Sequence, residues 1–191
     1  VDRYKDIVLA DMDAVDFGEN QSTLNELWDK LYKKSKLNDV MGAAITGVLA
    51  SGDGAFKITA DACSEYPIVE FYDAEDVEYI YLHSKLKEIK FYTTYKNGAK
   101  DLRLEETYGA GYIKYKLYDD YGKEVPLTLL PETAHLYDLG IEGDIMLAVP
   151  LKILESTKYK NRGKALFEGK TDVLDGLDEV ISQWMDAIRM G

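Results

Sequence analysis

The sequence predicts an α+β fold, and three observations carry that prediction. Apolar residues recur at three- and four-residue steps in two segments near the start and in one at the end. Through the middle they recur at every second residue. The strand-like segments follow one another through short turns, not through stretches long enough for crossover helices, so the sheet is expected to be largely antiparallel. N-terminal helices should pack on that sheet, and a long helix should close the chain. The implied division is an acidic arm at 1–21, an α+β body at 22–171 and a helix from 172 to 191.

The arm carries Asp11, Asp13, Asp16 and Glu19 among small residues, with Ile7, Val8 and Leu9 as an apolar patch for a short helix. It reads as loosely held. Thr23 with Glu26 is a capping-box spacing, in which hydroxyl and carboxylate each satisfy a backbone donor; it opens a helix with Leu24, Leu27, Trp28 and Leu31 on one face. Asn38 is expected to open a second helix along Val40, Met41, Ala44, Ile45, Val48 and Leu49, ended by Gly52-Asp53-Gly54. From Ala55 a strand alternates Phe56, Ile58 and Ala60 with Lys57 and Thr59, and further strands are expected at 68–72, 77–82, 88–95 and 101–106. Lys96-Asn97-Gly98 supplies an Asn-Gly hairpin signal between the last two. Residues 112–118 place Tyr112, Lys114, Lys116 and Tyr118 on one face and Ile113, Tyr115 and Leu117 on the other, before 119–122 turns the chain. Past Pro126, a short helical piece is expected from Glu132 to Tyr137 and a buried strand from Ile145 to Val149. The basic stretch Lys158 to Lys164 reads as a solvated connector, with a phosphate or acidic-partner contact as the sharper alternative. Finally, 172–190 forms one long helix: Val173, Leu174, Leu177, Ile181, Trp184, Met185 and Ile188 lie on one side, and Asp175, Asp178, Glu179, Ser182, Asp186 and Arg189 on the other.

The 191 residues include 23 Lys+Arg and 35 Asp+Glu, a formal charge of −12. Such a surface lacks the phosphate-neutralising cations of a tight nucleic-acid reader, which leaves only passing, non-specific contact with DNA. At 46% hydrophobic, the chain is too apolar for disorder and can bury about 70% of its unfolded surface. Cys63 is the sole cysteine, so no internal disulfide forms; it reads as a small buried hydrophobe, and an intracellular context is expected. Spanning segments and a signal peptide are not recognised, so no membrane partner is expected. A start at Val1 without Met and a stop at Gly191 just past a helical pattern suggest a piece of a longer protein.

Catalytic chemistry finds little support. Gly169-Lys170-Thr171 before a helix resembles the end of a P-loop, but Gly163 and Gly169 enclose five residues where four are needed, and Glu168 adds negative charge beside the would-be phosphate. Thr171 or Asp172 as a helix cap is the simpler account. Gly109-Ala110-Gly111 precedes a strand and not a helix, which suits a tight turn better than a dinucleotide site. His83 and His135 stand far apart with no metal-ligand spacing, and no G-x-S-x-G occurs. Neither catalytic nor cofactor nor metal residues are therefore assigned. With 15 tyrosines and many carboxylates, a carbohydrate or small-molecule binding domain is the alternative, and a nucleotide-dependent enzyme a third. Abundance weakens the sugar reading: Glu105-Glu106 is explained by a strand edge with at least one side chain in water, and Tyr79, Tyr81 and Tyr92 by a half-buried pleated surface.

The segments GYIKYKLYDDYGKEVPL (111–127), IMLAVPLK (145–152) and RGKALFEGKTDVLDGLDEVISQWMDAIRMG (162–191) resemble portal proteins of tailed phages of Gram-positive bacteria, with GDGAFKI (52–58) and PIVEFYDAEDVEYI (67–80) similar as well. The likeness covers most of residues 20–191, and its last segment is the most specific. It implies a structural protein and not an enzyme: a dodecameric ring at one vertex of the phage head, the conduit for DNA packaging and ejection, located in the virion and in the host cytoplasm during assembly. It implies a wing-like region followed by the start of a helix toward the stem, without the clip and crown. The partners implied are further copies of itself and the terminase, scaffold and capsid proteins, with no cofactor. On this expectation Asp175, Asp178, Glu179 and Asp186 line a channel or a subunit interface, and the apolar face at Trp184 and Ile188 meets a neighbour.

Overall fold

The computed structural model describes residues 1–13, 15–18, 21–59, 64–98 and 100–190. Cys63 and Ala60, to which the sequence assigns a buried site and a strand position, lie outside the described residues, as does Glu19 of the arm. The fold is α+β with antiparallel sheets throughout.

Three helices come first. The arm contains α1 (Asp2–Ala10), which sets Leu9 and Lys5 against Gly42 of the third helix. Behind it, Asp16 and Phe17 fold onto the next helix: the Phe17 N–H donates to Asn25 Oδ1, Asn25 Nδ2 donates to Asp16 Oδ1, and Phe17 meets Trp28 edge-on. α2 (Ser22–Lys34) starts one residue before the expected cap, and no side chain caps it. Thr23 therefore sits inside the first turn, and the capping box does not form. Its apolar face stays largely open, with Leu24 and Leu27 exposed. α3 (Leu37–Ser51) begins at Lys36 in the left-handed region, not at Asn38, and buries Ala44, Ile45, Val48 and Leu49 as its periodicity predicts. Gly52 ends it at φ 104°, a value few residues other than glycine accept.

The strands form two sheets. β1 (Asp53–Thr59) lies between β2 (Ile68–Asp73) and β9 (Ala148–Lys152) in the smaller one. Pro150 is tolerated in β9 because an edge strand need not offer every N–H to a neighbour. The expected buried strand at 145–149 is displaced: Ile145 and Val149 are exposed, and pairing starts at Ala148. The larger sheet runs β3 (Val77–Leu82), β4 (Lys85–Asn97), β5 (Lys100–Gly109), β6 (Tyr112–Tyr118) and β7 (Glu124–Val125), with β8 (Leu139–Gly140) on the free part of β6. Asn97 pairs with Lys100 across the Asn-Gly hairpin, and His83 and Ser84, both at positive φ, turn β3 into β4. The alternation along β6 is borne out, with Ile113, Tyr115 and Leu117 buried. Gly109 and Tyr112 close a tight turn, as expected of Gly-Ala-Gly. No helix forms at 132–137: a 3-10 turn at Leu127–Leu129 precedes a run of turns in which the Thr133 hydroxyl donates to the Leu127 carbonyl.

The smaller sheet lies between α3 and the larger sheet. Phe71 of β2 packs against Gly47 of α3, while Ala55 and Ala148 join Ile89, Phe91, Tyr108 and Ile113 in the main core. A second cluster, Leu102, Leu104, Leu117 and Leu130, fills the other end of the larger sheet.

Candidate functional site

The chain ends in α4 (Thr171–Met190), 20 residues and roughly 30 Å long at 1.5 Å per residue. Asp172 to Arg189 are all exposed. The predicted channel or interface residues Asp175, Asp178, Glu179, Asp186, Trp184 and Ile188 therefore share one helix, and the structure packs none of them on the body. Trp184 and Ile188 are 68% and 65% exposed. Leu174, Leu177, Ile181, Trp184 and Ile188 follow the three-then-four spacing of a coiled-coil seam, widened by Val173, Val180 and Met185. The acidic groups lie off that seam. Asp178 borders it, whereas Asp175, Glu179 and Asp186 occupy the opposite side, with Gln183 donating to Glu179 and Arg189 at 3.9 Å from Asp186. At the root the Lys170 carbonyl accepts the Leu174 N–H, which makes Lys170 the cap in place of Thr171 or Asp172. An open apolar groove of about 590 Å³ runs there between Val1 and Tyr4 of the arm and Phe167, Val173 and Leu174.

What fixes this root is a buried ionic latch. Asp53, at the start of β1, is nearly inaccessible. Its Oδ2 accepts the Gly163 N–H at 2.6 Å, and Arg162 Nη2 lies 2.9 Å from Oδ1, held there by charge because no hydrogen bond is aimed at that oxygen. The same guanidinium donates to the carbonyls of Ala74 and Val77 and stands over the Tyr79 ring, whose hydroxyl donates to the Gly54 carbonyl. Burial, with the Asp53 charge behind it, pushes the Tyr79 phenol far up, so it stays a donor at all physiological pH. Gly163 must be glycine because its backbone crosses that of Gly52: a Cβ on either would meet the other's carbonyl. Residues 154–164 thus form a hairpin-shaped loop, pinned by the Glu155 and Gly163 pairing and by the Lys164 N–H to the Leu154 carbonyl. Leu166 then ties to the end of α3 through the Leu49 carbonyl. The solvated-connector reading of Lys158 to Lys164 therefore holds only at the tip, where Lys158 and Lys160 are exposed; Arg162 and Gly163 are structural.

A second polar cluster joins the two sheets. Lys57 of β1 is 5% exposed and places Nζ 2.6 Å from Glu106 Oε1 of β5, with the Tyr72 hydroxyl at 3.1 Å and Glu70 at 3.4 Å. Burial alone would lower the Lys57 pKa, but Glu106 and, behind it, Tyr72 and Glu70 outweigh burial and hold it well above the ordinary value. Tyr72 bonds onward to Thr93, and Tyr108 to Thr59. Such a closed cation is a strut, not an exposed general base. Glu105, its neighbour in sequence, points to the outer face and is also buried, bonded by Lys90 and Tyr92. The strand-edge account of Glu105-Glu106 is thereby corrected: β5 is interior to its sheet, and each carboxylate is matched by a lysine.

The outer face of the larger sheet carries the half-buried tyrosines. Tyr92 donates to Glu78 and Tyr112 to Glu88, each at 2.6 Å, and Arg103 stacks on Tyr92 at 3.9 Å. That bond, with burial second, pushes the Tyr112 phenol up to about 12, and Tyr112 in turn lowers the Glu88 pKa.

Among the described residues no group of three or more His, Cys, Asp or Glu is placed to hold a metal ion, and no helix is long and apolar enough to cross a membrane. Sequence reasoning found α4 and its two faces but missed the latch, whose partners lie 110 positions apart. The one local signal was Gly163 inside a basic run, a residue that breaks up a purely solvated charge stretch. No protein-family model matches the chain, and no curated protein matches it.

Proposed function

We propose that the chain is an assembly subunit of portal type, a structural piece of a ring through which phage DNA is packaged and ejected, with α4 as its assembly surface. The observation that carries the reading is the uncovered seam of α4. An apolar stripe running the length of a helix that stands clear of its own body is a surface for a neighbour, since monomers rarely leave such a patch bare. Support also comes from the charge. An excess of 35 acidic over 23 basic groups gives DNA few cations to release salt against, so a duplex can slide past without being gripped. Asp175, Asp178, Glu179 and Asp186 supply that acidic wall or an interface, and the chain itself performs no catalysis. Terminase, scaffold and capsid proteins are the partners this role requires. The alternative, a carbohydrate site on the tyrosine-rich sheet, gains no specific observation, because the hydroxyls of Tyr92 and Tyr112 are already held by Glu78, Glu105 and Glu88.

Negative-stain electron microscopy of the full-length protein tests the reading. Rings with a central hole and about twelvefold symmetry are expected; dispersed single subunits across protein and salt concentration would refute it. Neutralising the four acidic residues to amides should then slow packaging, and unchanged packaging would reduce the stripe to a solvated helix face.

A further inference from the structure

α1 leaves an apolar stripe of its own uncovered. Its Lys5 and Leu9 side chains lie against Gly42 of α3, while Val1, Tyr4, Ile7 and Val8 share an adjacent face of the helical wheel and are 38–58% exposed. The open stripes of α1 and α4 meet at one place. The groove of about 590 Å³ at the root of α4 is lined by Val1 and Tyr4 from one stripe and by Val173 and Leu174 from the other, so the first residues of each already face across it. Between that groove and the body a single residue is left to turn. The Leu166 N–H donates to the Leu49 carbonyl and the Glu168 carboxylate accepts the Ser156 hydroxyl, whereas the helical bonding of α4 starts at the Lys170 carbonyl. Gly169 stands between them at φ 76°, with open space where a Cβ would be, so its backbone can change without displacing a neighbour.

We propose that α1 is a strap for α4: the helix turns about Gly169 until the near half of its stripe, Val173, Leu174, Leu177 and Ile181, lies on Val1, Tyr4, Ile7 and Val8 of the same chain. Three arguments select α1 as the cover. The first is continuity, because the groove already joins the two stripes at their roots. The second is length. The nine residues of α1 span roughly 13 Å, and Val173 to Ile181 roughly 12 Å. Both helices reach the groove with their N-terminal ends, so closure lays them parallel, with Tyr4 level with Leu174 and Ile7 with Leu177. The third is charge at the contact itself. Within 173–181, Asp178 alone of the charged residues borders the stripe, and parallel packing brings it to the side on which the exposed Arg3 borders the stripe of α1. Asp175 and Glu179 stay on the solvent side. α1 ends short of Trp184 and Ile188, which remain bare for a neighbouring copy. The strap thus divides the stripe into a half that fixes the direction of α4 and a half that meets another subunit.

Two measurements on the 191-residue chain test the strap. In the first, Ile7→Cys is combined with Leu177→Cys, or with Ile188→Cys as a control, in a Cys63→Ser background at high dilution. A disulfide needs its two Cα atoms within about 7 Å, and Ile188 lies roughly 16 Å farther along the helix than Leu177. The near pair should oxidise within one chain, at least about tenfold faster than the control. In the second, which keeps Cys63, hydrogen exchange is compared between the parent and a Tyr4→Glu/Ile7→Glu variant. Both positions are exposed, and circular dichroism checks that the variant folds. Amides 174–181 should exchange at least about tenfold faster in the variant, with 184–190 unchanged. A near pair that oxidises no faster than the control, one that cross-links only between chains, or exchange over 174–181 equal in parent and variant would each overturn the proposal. The outcomes separate from the portal reading: rings whose 174–181 amides ignore the variant keep the portal and discard the strap, while a strapped chain that never forms rings keeps the strap and discards the portal.

Discussion

Replacing Lys57 by Met isolates the strut between the sheets. Met keeps the aliphatic stem that packs near Phe91 and Tyr72 but leaves Glu106, 5% exposed, as an uncompensated carboxylate in the interior. Breaking one side of a buried pair costs about 3–5 kcal/mol, against a total stability of about 5–15 kcal/mol for a domain. For a chain of this length the loss corresponds to a fall in Tm of about 6–20 °C. Urea unfolding at pH 7 of the parent, Lys57→Met, Glu106→Leu and the double variant measures the pair. The double should recover most of the loss, because removing both charges removes the desolvation problem as well. Alkaline titration adds a sign. The folded Lys57 pKa lies above the unfolded value, so the pair's contribution is complete below about pH 10 and disappears only as pH rises through the folded value. The parent should therefore lose its advantage over Lys57→Met above that pH and not below it. A single variant costing less than about 1 kcal/mol, or a double variant equal to the sum of the singles, would refute the strut.

Arg162→Ala should destabilise the chain by about 2–3 kcal/mol and speed hydrogen exchange at the Leu166 amide; Arg162→Lys should rescue little, because an ammonium cannot serve two carbonyls and a carboxylate with one planar fork. Gly163→Ala should prevent normal folding through its collision with the Gly52 carbonyl, whereas Gly176→Ala, in open space on α4, should raise helix stability by up to about 1 kcal/mol, both read by circular dichroism melts. Tyr112→Phe should flatten the acid limb of the stability curve. Glu88 has a folded pKa depressed chiefly by that hydroxyl, so its contribution is present above the unfolded carboxylate value and lost as pH falls through the folded one.

Elements whose own residues decide their conformation were legible. The 112–118 strand alternates without exception, and α3 buries the residues its period selects. Where tertiary contacts decide, local reading failed. Thr23 and Glu26 have cap spacing, yet Asp16 and Phe17 fold back on Asn25 and Trp28, and the helix starts a residue earlier. Residues 145–149 are apolar enough for a buried strand, but β1 recruits 148–152 because the Ile58 N–H already takes the Leu147 carbonyl at the entrance. Lys57 looked like the wet half of an alternating strand. Only the inward carboxylate of Glu106, 49 residues later, makes that position interior. For the candidate surface, the faces of α4 were visible from their periodicity. Its isolation from the body was not, since a helical pattern reports which side is apolar and nothing about what covers it.

The order of strands also sets an order in time. β3 to β6 pair with their immediate successors, so that sheet can zip as it emerges from the ribosome. β1 cannot finish: its second neighbour, β9, lies almost a hundred residues downstream, Asp53 pairing with Lys152. At about 5–20 residues per second, the nascent chain waits roughly 5–20 s with one edge of β1 bare. Only in the second half of that interval does Lys57 have Glu106 to pair with, and throughout it Asp53 has no cation. Synthesis of Arg162 then completes the carboxylate's shell and anchors α4 in one event, so the helix is presented to other molecules only after the body beneath it has closed.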